Sequence, residues 1–216
     1  MDEANQYISQ LREDFMKGQL SENAIAKSPA LQFENWMKEA IESKINEVQA
    51  FHLSTVNKEH KPSSRIVYLR EYEKGIFYFY TNYQSRKAMD ILVNNNVAMT
   101  FFWPELERQI RIEGTIEFAE KEKSDAYYNQ RPGESKIGAW SSPQSKVIEN
   151  REVLEEWVKE NTLKFKDHEI PRPDFWGGYK ITANYYEFWQ GRKSRLHDRI
   201  VFTKENNDWK IERLAP

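Results

Sequence analysis

Residues 81–90, TNYQSRKAMD, place two adjacent cations where a predicted strand ends and a predicted helix begins. Backbone N–H groups and the helix dipole at such a point favour an anion, and Arg86 and Lys87 would complete a phosphate site. Ser85 offers an alternative, since serine is a preferred helix cap and the cations after it could simply be solvated. The segment therefore suggests phosphate binding without deciding it.

Two arginines bracket the apolar strand predicted within residues 63–70, SSRIVYLR. Because side chains alternate along a strand, Arg65 and Arg70 fall on opposite faces. A charge on each face of a core strand needs a partner, which makes both residues candidates for a binding site. The alternative is exposure at the strand ends, since most arginines are exposed.

The run QGRKSRLHDRIVF, residues 190–202, concentrates hydrogen-bond donors. If RLHDR is extended, Arg195, His197 and Arg199 project to one side and form a cluster suited to a phosphate or an electron-rich ring. Asp198 would then point away from that cluster. A solvated charged loop is the alternative, because charge runs usually face solvent.

Tyr127, Arg131 and Ser135 recur at intervals of four through YYNQRPGES. Pro132 and Gly133 end any helix between them, so the three side chains would converge only on a loop that folds over something. Taken alone, the segment is simply a helix end.

Composition excludes several kinds of chemistry. The absence of cysteine removes disulfides, thiolate nucleophiles, iron–sulfur clusters and cysteine-based zinc sites. The histidines are scattered, so we expect no metal site. GxGxxG and Walker patterns are missing, which argues against dinucleotide-binding folds and NTPases. The net charge of −2 gives no global field for nucleic acid or membranes, and we expect neither as a partner.

Length and patterning indicate one domain. A chain of 216 residues with 39% hydrophobic content can bury one substantial core. We predict a single domain over residues 1–216, with an N-terminal helical segment at about 1–48 and a barrel with C-terminal strands at about 49–216. The N-terminus lacks a signal peptide and no stretch approaches the ~20 apolar residues of a membrane span, so we expect a cytoplasmic protein.

Helical spacing predicts five helices, and a Ser28-Pro29 entry precedes the second of them. Their predicted ranges are residues 5–18, 31–45, 85–95, 122–130 and 149–166, with the apolar stripe of 31–45 assigned to the core. Residues 131–145 are interpreted as an irregular polar loop.

From Ala50 onwards the period changes to two. Predicted strands are AFHLSTV, SSRIVYLR, GIFYFYT, VAMTFF, QIRIEGTIEF, YKITANYYEFWQ, RIVFT and WKIERL, with NKEHKP and EYEKG as breaks. Such closely spaced strands predict an antiparallel sheet or small barrel, in a mainly β fold with peripheral helices (α+β).

These segments together resemble the pyridoxine/pyridoxamine 5′-phosphate oxidase family from about residue 11 to residue 216. The most specific matches are RIVYLR, FYTNYQSRKA, LERQIRIEG, YYNQRPGESKIGAWSSPQS, FWGGY and FWQGRKSRLHDR. The resemblance implies an FMN-binding split β-barrel, active as a homodimer with FMN at the subunit interface. It also implies the reaction, in which the C4′ hydrogen of pyridoxamine or pyridoxine 5′-phosphate leaves as hydride to the flavin. Pyridoxal 5′-phosphate and hydrogen peroxide are the products.

The resemblance also assigns residues to the cofactor. It gives the FMN phosphate to Arg65, Arg86 and Lys87, and a hydrogen bond with the flavin to Gln109. The flavin is lined by Ile66, Val67, Tyr80 and Thr81, and the site is completed across the interface by Gln144, Ser145, Trp189 and Arg199.

For the substrate, the resemblance implies that Tyr127, Arg131 and Ser135 hold the pyridoxyl phosphate and that Arg70 and Arg12 complete the pocket. Arg195 and His197 would stand over the ring and its reacting substituent as the catalytic pair. The sequence departs from the family at two of its positions. Arg70 stands where lysine is usual, which alters the geometry of phosphate contacts, and Phe15 stands where tyrosine is usual, which loses a hydroxyl.

Two other interpretations remain open at this point. A split-barrel reductase with a nicotinamide donor would keep the FMN residues but would have no reason to retain Arg131, Ser135, Arg195 and His197 together. A noncatalytic flavin or pyridoxal-phosphate carrier, or a small barrel that binds nucleic acid through arginine and aromatic stacking, is the third. Near-zero net charge disfavours nucleic acid.

Overall fold

The structure is a computed structural model that describes residues 2–10 and 14–216. Its α-helices are α1 (Asp2–Gln10), α2 (Pro29–Glu42), α3 (Arg86–Val93), α4 (Lys121–Asn129), α5 (Gly133–Ser141) and α6 (Arg151–Lys164). Its strands are β1 (Ala50–Val56), β2 (Pro62–Tyr68), β3 (Glu71–Glu73), β4 (Ile76–Asn82), β5 (Asn96–Trp103), β6 (Arg108–Phe118), β7 (Trp176–Gln190), β8 (Asp198–Glu205) and β9 (Asp208–Arg213).

The strands form one sheet in the order β2-β1-β5-β6-β7-β4-β3, with β8 paired to β7 and β9 paired to β8. The pairings β1–β2, β3–β4, β4–β7, β7–β8 and β8–β9 are antiparallel. Their alternating apolar side chains are buried, so the two-residue period that predicted the strands is the period of the core faces.

The chain divides into two compact units. The first contains Met1–Val48, Thr100–Ile112 and Tyr185–Pro216, and the second contains Gln49–Met99 and Glu113–Asn184. In the first unit, Ser28 Oγ caps α2 by accepting a hydrogen bond from the Leu31 N–H at 3.3 Å. Phe33 and Trp36 of that helix pack edge-on against Phe101 and Phe188. The single-domain organisation stays a prediction.

Two apolar stripes are narrower than predicted. On α2, Leu31 and Ile41 are exposed while Phe33 and Trp36 are buried. On α3, Leu92 is 59% exposed although its predicted companions on the same face are buried. A helix that rests one face on a sheet buries only the centre of its apolar stripe, so residues at the stripe's edge stay in solvent.

Four local predictions were wrong. The first helix ends at Gln10, and residues 14–18 are not helical, while Leu11 lies outside the described residues. The segment 133–141 is helix α5 and not loop, because Pro132 stands at the N-cap with φ −55° and ψ 147° and a new helix starts directly after it. A Pro-Gly pair can begin a helix as well as end one.

The other two corrections concern strands. Glu71–Glu73, predicted as a break, pairs with β4 through a tight turn in which Lys74 and Gly75 both have positive φ, as a two-residue hairpin requires. The segment RLHDR is not extended throughout. Lys193–Arg195 forms a 3-10 turn, Ser194 and Arg195 have left-handed φ of 57° and 63°, and β8 begins only at Asp198.

Among the described helices, none combines the length and apolar character needed to cross a membrane.

Candidate functional site

The second unit contains a cavity of about 760 Å³. It is bounded by β2, the end of β4, the start of α3, the α4–α5 connection and the start of β7. Eleven residues that the family resemblance singled out line it: Arg65, Ile66, Val67, Arg70, Tyr80, Thr81, Lys87, Tyr127, Arg131, Ser135 and Gln144. Arg65 and Gln144 are 79 positions apart in the chain, and both line this cavity.

Lys87 is a half-buried cation in this cavity. Its Nζ donates to Thr81 Oγ1 at 3.0 Å, to Ser85 Oγ at 3.3 Å and to Gln144 Oε1 at 3.4 Å. All three acceptors are neutral, so burial, together with the nearby charge of Arg65, lowers the pKa of Lys87 to about 8. An ammonium group held by neutral partners beside a second cation is a receptor for an anion.

Arg65 is the second cation at this end of the cavity. Burial lowers its pKa, the carboxylate of Asp90 opposes that shift, and the charge of Arg86 adds to it. Arg86 itself is exposed at the first position of α3 and does not line the cavity. Of the three cations predicted to bind the phosphate, Arg65 and Lys87 therefore line the cavity and Arg86 lies at its edge.

Stacked aromatic rings form one wall. The rings of Tyr80 and Tyr127 are parallel to within 7°, with centroids 3.9 Å apart. Trp176 continues the stack at 5.9 Å from Tyr80 with an interplanar angle of 12°. Burial raises the pKa of Tyr80 to about 12, so its phenol is neutral and can donate a hydrogen bond at physiological pH. This wall suits a planar ring.

Arg131 lies against the same aromatic group. Its guanidinium carbon is 4.4 Å from the centroid of Trp176. Its Nη1 is buried and has no hydrogen-bond partner among residues 2–10 and 14–216. A buried donor left unpaired costs free energy, which a bound anion would recover. Burial lowers the pKa of Arg131, and the charge of Arg70, whose guanidinium carbon lies 5.2 Å from the Tyr68 ring centroid, lowers it further. The cavity thus has a second cationic pair.

Two helices bring the substrate-side residues together. Tyr127 is on α4, Arg131 is in the turn after it, and Ser135 is in the first turn of α5. Because the chain bends at Pro132, these three side chains converge on the cavity, as predicted for a segment that folds back. The part after Pro132 is a helix and not the predicted loop. Tyr128 Oη donates to the Lys136 carbonyl at 3.4 Å and holds the two helices in register.

Gln144 was assigned to the partner subunit's contribution, and the structure corrects this. Its Oε1 accepts from Thr81 Oγ1 at 3.1 Å and from Lys87 in the same chain. The adjacent Ser145 is exposed with a left-handed φ of 72° and does not line the cavity. The turn at 142–145 is short enough to return Gln144 to its own β4–α3 junction.

The predicted catalytic residues lie in the first unit, around Phe15. The Phe15 ring meets His197 edge-on at 5.3 Å and Trp189 at 5.7 Å, and the Arg195 guanidinium lies 5.5 Å from its centroid. His197 Nδ1 accepts from the backbone N–H of Arg192 at 3.1 Å. Burial and the charge of Arg195 lower the pKa of His197, so its imidazole is neutral at pH 7.

Arg199 lies opposite Trp189 in the β7–β8 ladder, and its side chain is held by an ion pair. Its Nε donates to the buried carboxylate of Glu187 at 2.8 Å and its Nη1 to the Ala215 carbonyl at 2.9 Å. Gln109 lies on β6 in the first unit and is half-buried. Arg12 lies outside the described residues.

Sequence reasoning missed two residues with evident roles in this site. Trp176 backs Arg131 and the tyrosine pair, and its place in FWGG was a usable signal because that segment belongs to the family pattern. Asp90, the last residue of TNYQSRKAMD, is buried next to Arg65. A single aspartate on a short helix carries no signal of that kind.

Comparisons with known proteins agree with this geometry. Residues 37–162 match the family model described as pyridoxamine 5′-phosphate oxidase, and residues 176–216 match the pyridoxine 5′-phosphate oxidase C-terminal dimerisation region. The chain is 47% identical over 211 residues to the pyridoxine/pyridoxamine 5′-phosphate oxidase of Cytophaga hutchinsonii, covering 97% of this chain and 98% of the relative. It is also 47% identical to the enzyme of that name from Haemophilus influenzae (strain 86-028NP), covering 97% and 99%.

Solved structures confirm the predicted antiparallel split-barrel fold. PhzG from Burkholderia lata 383, in complex with tetrahydrophenazine-1-carboxylic acid, superposes with a TM-score of 0.85 at 25% identity, covering 91% of this chain and 98% of that one. A pyridoxamine 5′-phosphate oxidase-related, FMN-binding protein from Nostoc punctiforme PCC 73102 has a TM-score of 0.69 at 14% identity, covering 88% and 98%, and so shares the fold.

Proposed function

This chain belongs to the pyridoxamine 5′-phosphate oxidase family, and from this premise we propose that it is an FMN-dependent oxidase of B6 vitamers. Its substrates are pyridoxamine 5′-phosphate or pyridoxine 5′-phosphate, and its products are pyridoxal 5′-phosphate and hydrogen peroxide. With the amine substrate, water supplies the aldehyde oxygen and the nitrogen is released as ammonia. The observation that supports this most is that one cavity contains two cationic pairs, Arg65 with Lys87 and Arg70 with Arg131, beside a stacked aromatic wall. Such a cavity suits two phosphorylated planar molecules.

The residues present fit FMN. Within residues 2–10 and 14–216 the three hydrogen-bond acceptors of Lys87 are neutral, and its pKa is depressed. A phosphate dianion would compensate both. Arg65 and Lys87 would hold the phosphate, with Arg86 at its edge, and Ile66, Val67, Tyr80, Thr81 and Gln144 would line the flavin. When bound, FMN supplies the redox chemistry: the C4′ hydrogen of the substrate leaves as hydride, and oxygen is reduced to hydrogen peroxide.

The substrate phosphate would pair with Arg131, whose buried Nη1 then gains an acceptor. Tyr127 and Ser135 would add hydrogen bonds, and Arg70 would add charge through a planar fork where its relatives use lysine. These contacts would orient the substrate. With its phosphate fixed at one end, the pyridine ring has few ways to lie against the aromatic wall.

Arg195 and His197 are proposed to orient the reacting end of the substrate. His197 is neutral and its Nδ1 is occupied by the Arg192 N–H, so Nε2 is the nitrogen that carries a proton and can donate it in a hydrogen bond. Phe15 packs against both side chains and restricts their rotamers.

We place these residues in a homodimer, in which the partner subunit completes the cavity. The match of residues 176–216 to a dimerisation region supports this arrangement, because Trp189, Arg195, His197 and Arg199 all fall within it. Gln109, from β6, would join them.

The test is a product assay on protein loaded with FMN. Under air, pyridoxamine 5′-phosphate and pyridoxine 5′-phosphate should each yield pyridoxal 5′-phosphate and hydrogen peroxide in equal amounts, while Arg195→Ala should lose turnover and keep FMN. Failure of both substrates, with oxidation of a nicotinamide donor instead, would establish the reductase alternative. Absence of flavin binding would leave only a pyridoxal-phosphate carrier or a nucleic-acid-binding barrel.

A further inference from the structure

Asp90 is a buried carboxylate that the proposed reaction does not use. It lies on α3, is 6% exposed, and its Oδ2 accepts hydrogen bonds from Thr55 Oγ1 at 2.7 Å and from Ser63 Oγ at 3.2 Å. Burying a carboxylate is costly unless it is hydrogen-bonded or paired with a charge. Its two hydroxyl partners connect Asp90 to a residue that lines the cavity.

The same two hydroxyls hold Arg65. The arginine Nη1 donates to Thr55 Oγ1 at 2.8 Å and to the Leu53 carbonyl at 3.1 Å, and its Nη2 donates to Ser63 Oγ at 2.6 Å. Nη2 is also 3.9 Å from Asp90 Oδ2. A hydroxyl has one proton to donate and two lone pairs to offer. When its proton points to Asp90, its lone pairs are left for the guanidinium.

Backbone register makes this arrangement rigid. In the β1–β2 ladder Leu53 is opposite Arg65 and Thr55 is opposite Ser63, so the three hydrogen-bond acceptors of the guanidinium among the described residues are all on paired backbone. Within the described part of the chain these contacts use three of the five N–H donors of Arg65. Nε and one Nη2 donor remain for a ligand in the cavity that Arg65 lines.

We propose that Asp90 is a positioning residue for Arg65, acting through the hydroxyls of Thr55 and Ser63 so that the free donors of the guanidinium are presented to the phosphate of FMN. This rests on the proposed function, because that function places the FMN phosphate at Arg65. Asp90 itself does not line the cavity.

The sign of one effect separates this role from a simple charge effect. A carboxylate near a bound phosphate repels it, so on charge alone Asp90→Asn should tighten FMN binding. If Asp90 positions Arg65, the same variant should weaken FMN binding, because an amide can turn its NH₂ toward the hydroxyls and reverse their orientation. The two roles therefore predict opposite changes.

The experiment measures dissociation constants of FMN and of riboflavin, which has the same ring without the phosphate, by flavin fluorescence with the full-length apoprotein. Asp90→Asn and Thr55→Val should each weaken FMN binding about tenfold, as for lost hydrogen bonds to a charged group, and leave riboflavin binding within about twofold. Thr55→Ser, which restores the hydroxyl, should recover wild-type affinity. Asp167→Asn, at an exposed position, is the matched control.

An unchanged or tighter FMN affinity in Asp90→Asn would overturn the proposal, as would an equal loss for both flavins. In an Arg65→Ala background, Asp90→Asn should have no further effect on FMN binding, because its influence passes through the arginine. If Asp90→Asn does not fold, the Thr55→Val and Thr55→Ser pair decides by the same measurement. The wild-type preference for FMN over riboflavin tests the proposed function separately: without it the phosphate site itself is refuted.

Discussion

At the residue scale, Lys87 should couple the proposed binding of FMN to pH. Its pKa in the free protein is about 8, so above that pH the amine is neutral and must take up a proton to pair with a phosphate. We expect FMN affinity to fall as the pH rises through about 8, with proton uptake on binding, because the bound phosphate raises the pKa again. Titrations of FMN fluorescence across this range measure it.

Lys87→Met is the control for that dependence, since it removes the titrating group and keeps a side chain of similar length. Its FMN affinity should be weaker throughout and should lack the decline above pH 8. The same pH profile in wild type and variant would show that another group is responsible.

Arg131 carries a prediction about the substrate. Arg131→Lys keeps the charge but loses the planar fork and the stacking on Trp176. We expect KM for both substrates to rise about tenfold or more, as for a lost charge-assisted hydrogen bond, while the FMN dissociation constant stays within about twofold. Steady-state kinetics and flavin titration measure the two effects.

Arg151→Lys, an exposed residue paired with Glu155 on α6, is the matched control and should change neither quantity. If Arg131→Lys weakens FMN binding as much as it raises KM, Arg131 binds the cofactor and not the substrate.

Residue types and the family pattern predicted which side chains line the cavity better than they predicted the contacts behind those side chains. Adjacent cations at a helix start identified Lys87, and the family pattern identified Tyr127, Arg131 and Ser135, all of which line one cavity. Residue spacing could not predict the contact of Asp90 with the hydroxyls of Ser63 and Thr55. Those hydroxyls are 27 and 35 positions away, and only the register of β1 against β2 brings them together.

At the element scale, the close approach of β7 to β4 depends on Gly178. A Cβ at this position would lie 2.8 Å from Tyr80 Cε1 and 2.9 Å from Ala119 Cβ. Gly178→Ala must therefore displace Tyr80 and with it the stack on Tyr127. We expect a loss of about 1–3 kcal/mol in the free energy of unfolding, typical of overpacking, together with weaker FMN binding.

Gly133→Ala is the matched control, because a Cβ there meets nothing within 4 Å and the residue begins helix α5. It should leave the free energy of unfolding unchanged or raise it by up to about 1 kcal/mol. Denaturant unfolding of both variants gives the comparison, and equal destabilisation of the two would contradict this account of Gly178.

Element types followed from period and turn residues, and the failures share a cause. The Pro132-Gly133 pair was interpreted only as a helix end, and the clustering of Arg195, His197 and Arg199 depended on RLHDR being extended. Each decision depends on local backbone geometry, the N-cap role of Pro132 and the left-handed Ser194 and Arg195. Neither geometry has a periodic signature that residue types alone display.

At the scale of the whole molecule, the proposed homodimer predicts complementation between subunits. Arg65→Ala removes a cation from the cavity, and Arg199→Ala removes one from the dimerisation region. Each homodimer should be nearly inactive. A mixed population should recover about a quarter of the wild-type rate, since half of randomly assorted dimers are mixed and each has one intact site of two.

Tagged subunits purified as mixed dimers would measure that recovery directly. No recovery in a verified mixed dimer would mean that each cavity is completed within one chain. A monomer in sedimentation experiments that is fully active would contradict the dimer altogether.

The central claim is that bound FMN oxidises a B6 phosphate ester, and an anaerobic half-reaction tests it most directly. Mixing FMN-loaded protein with pyridoxamine 5′-phosphate in the absence of oxygen should bleach the flavin and release one pyridoxal 5′-phosphate per FMN, with peroxide appearing only when air is admitted. A flavin that stays oxidised with both pyridoxamine 5′-phosphate and pyridoxine 5′-phosphate, yet is bleached by a nicotinamide donor, would contradict the claim.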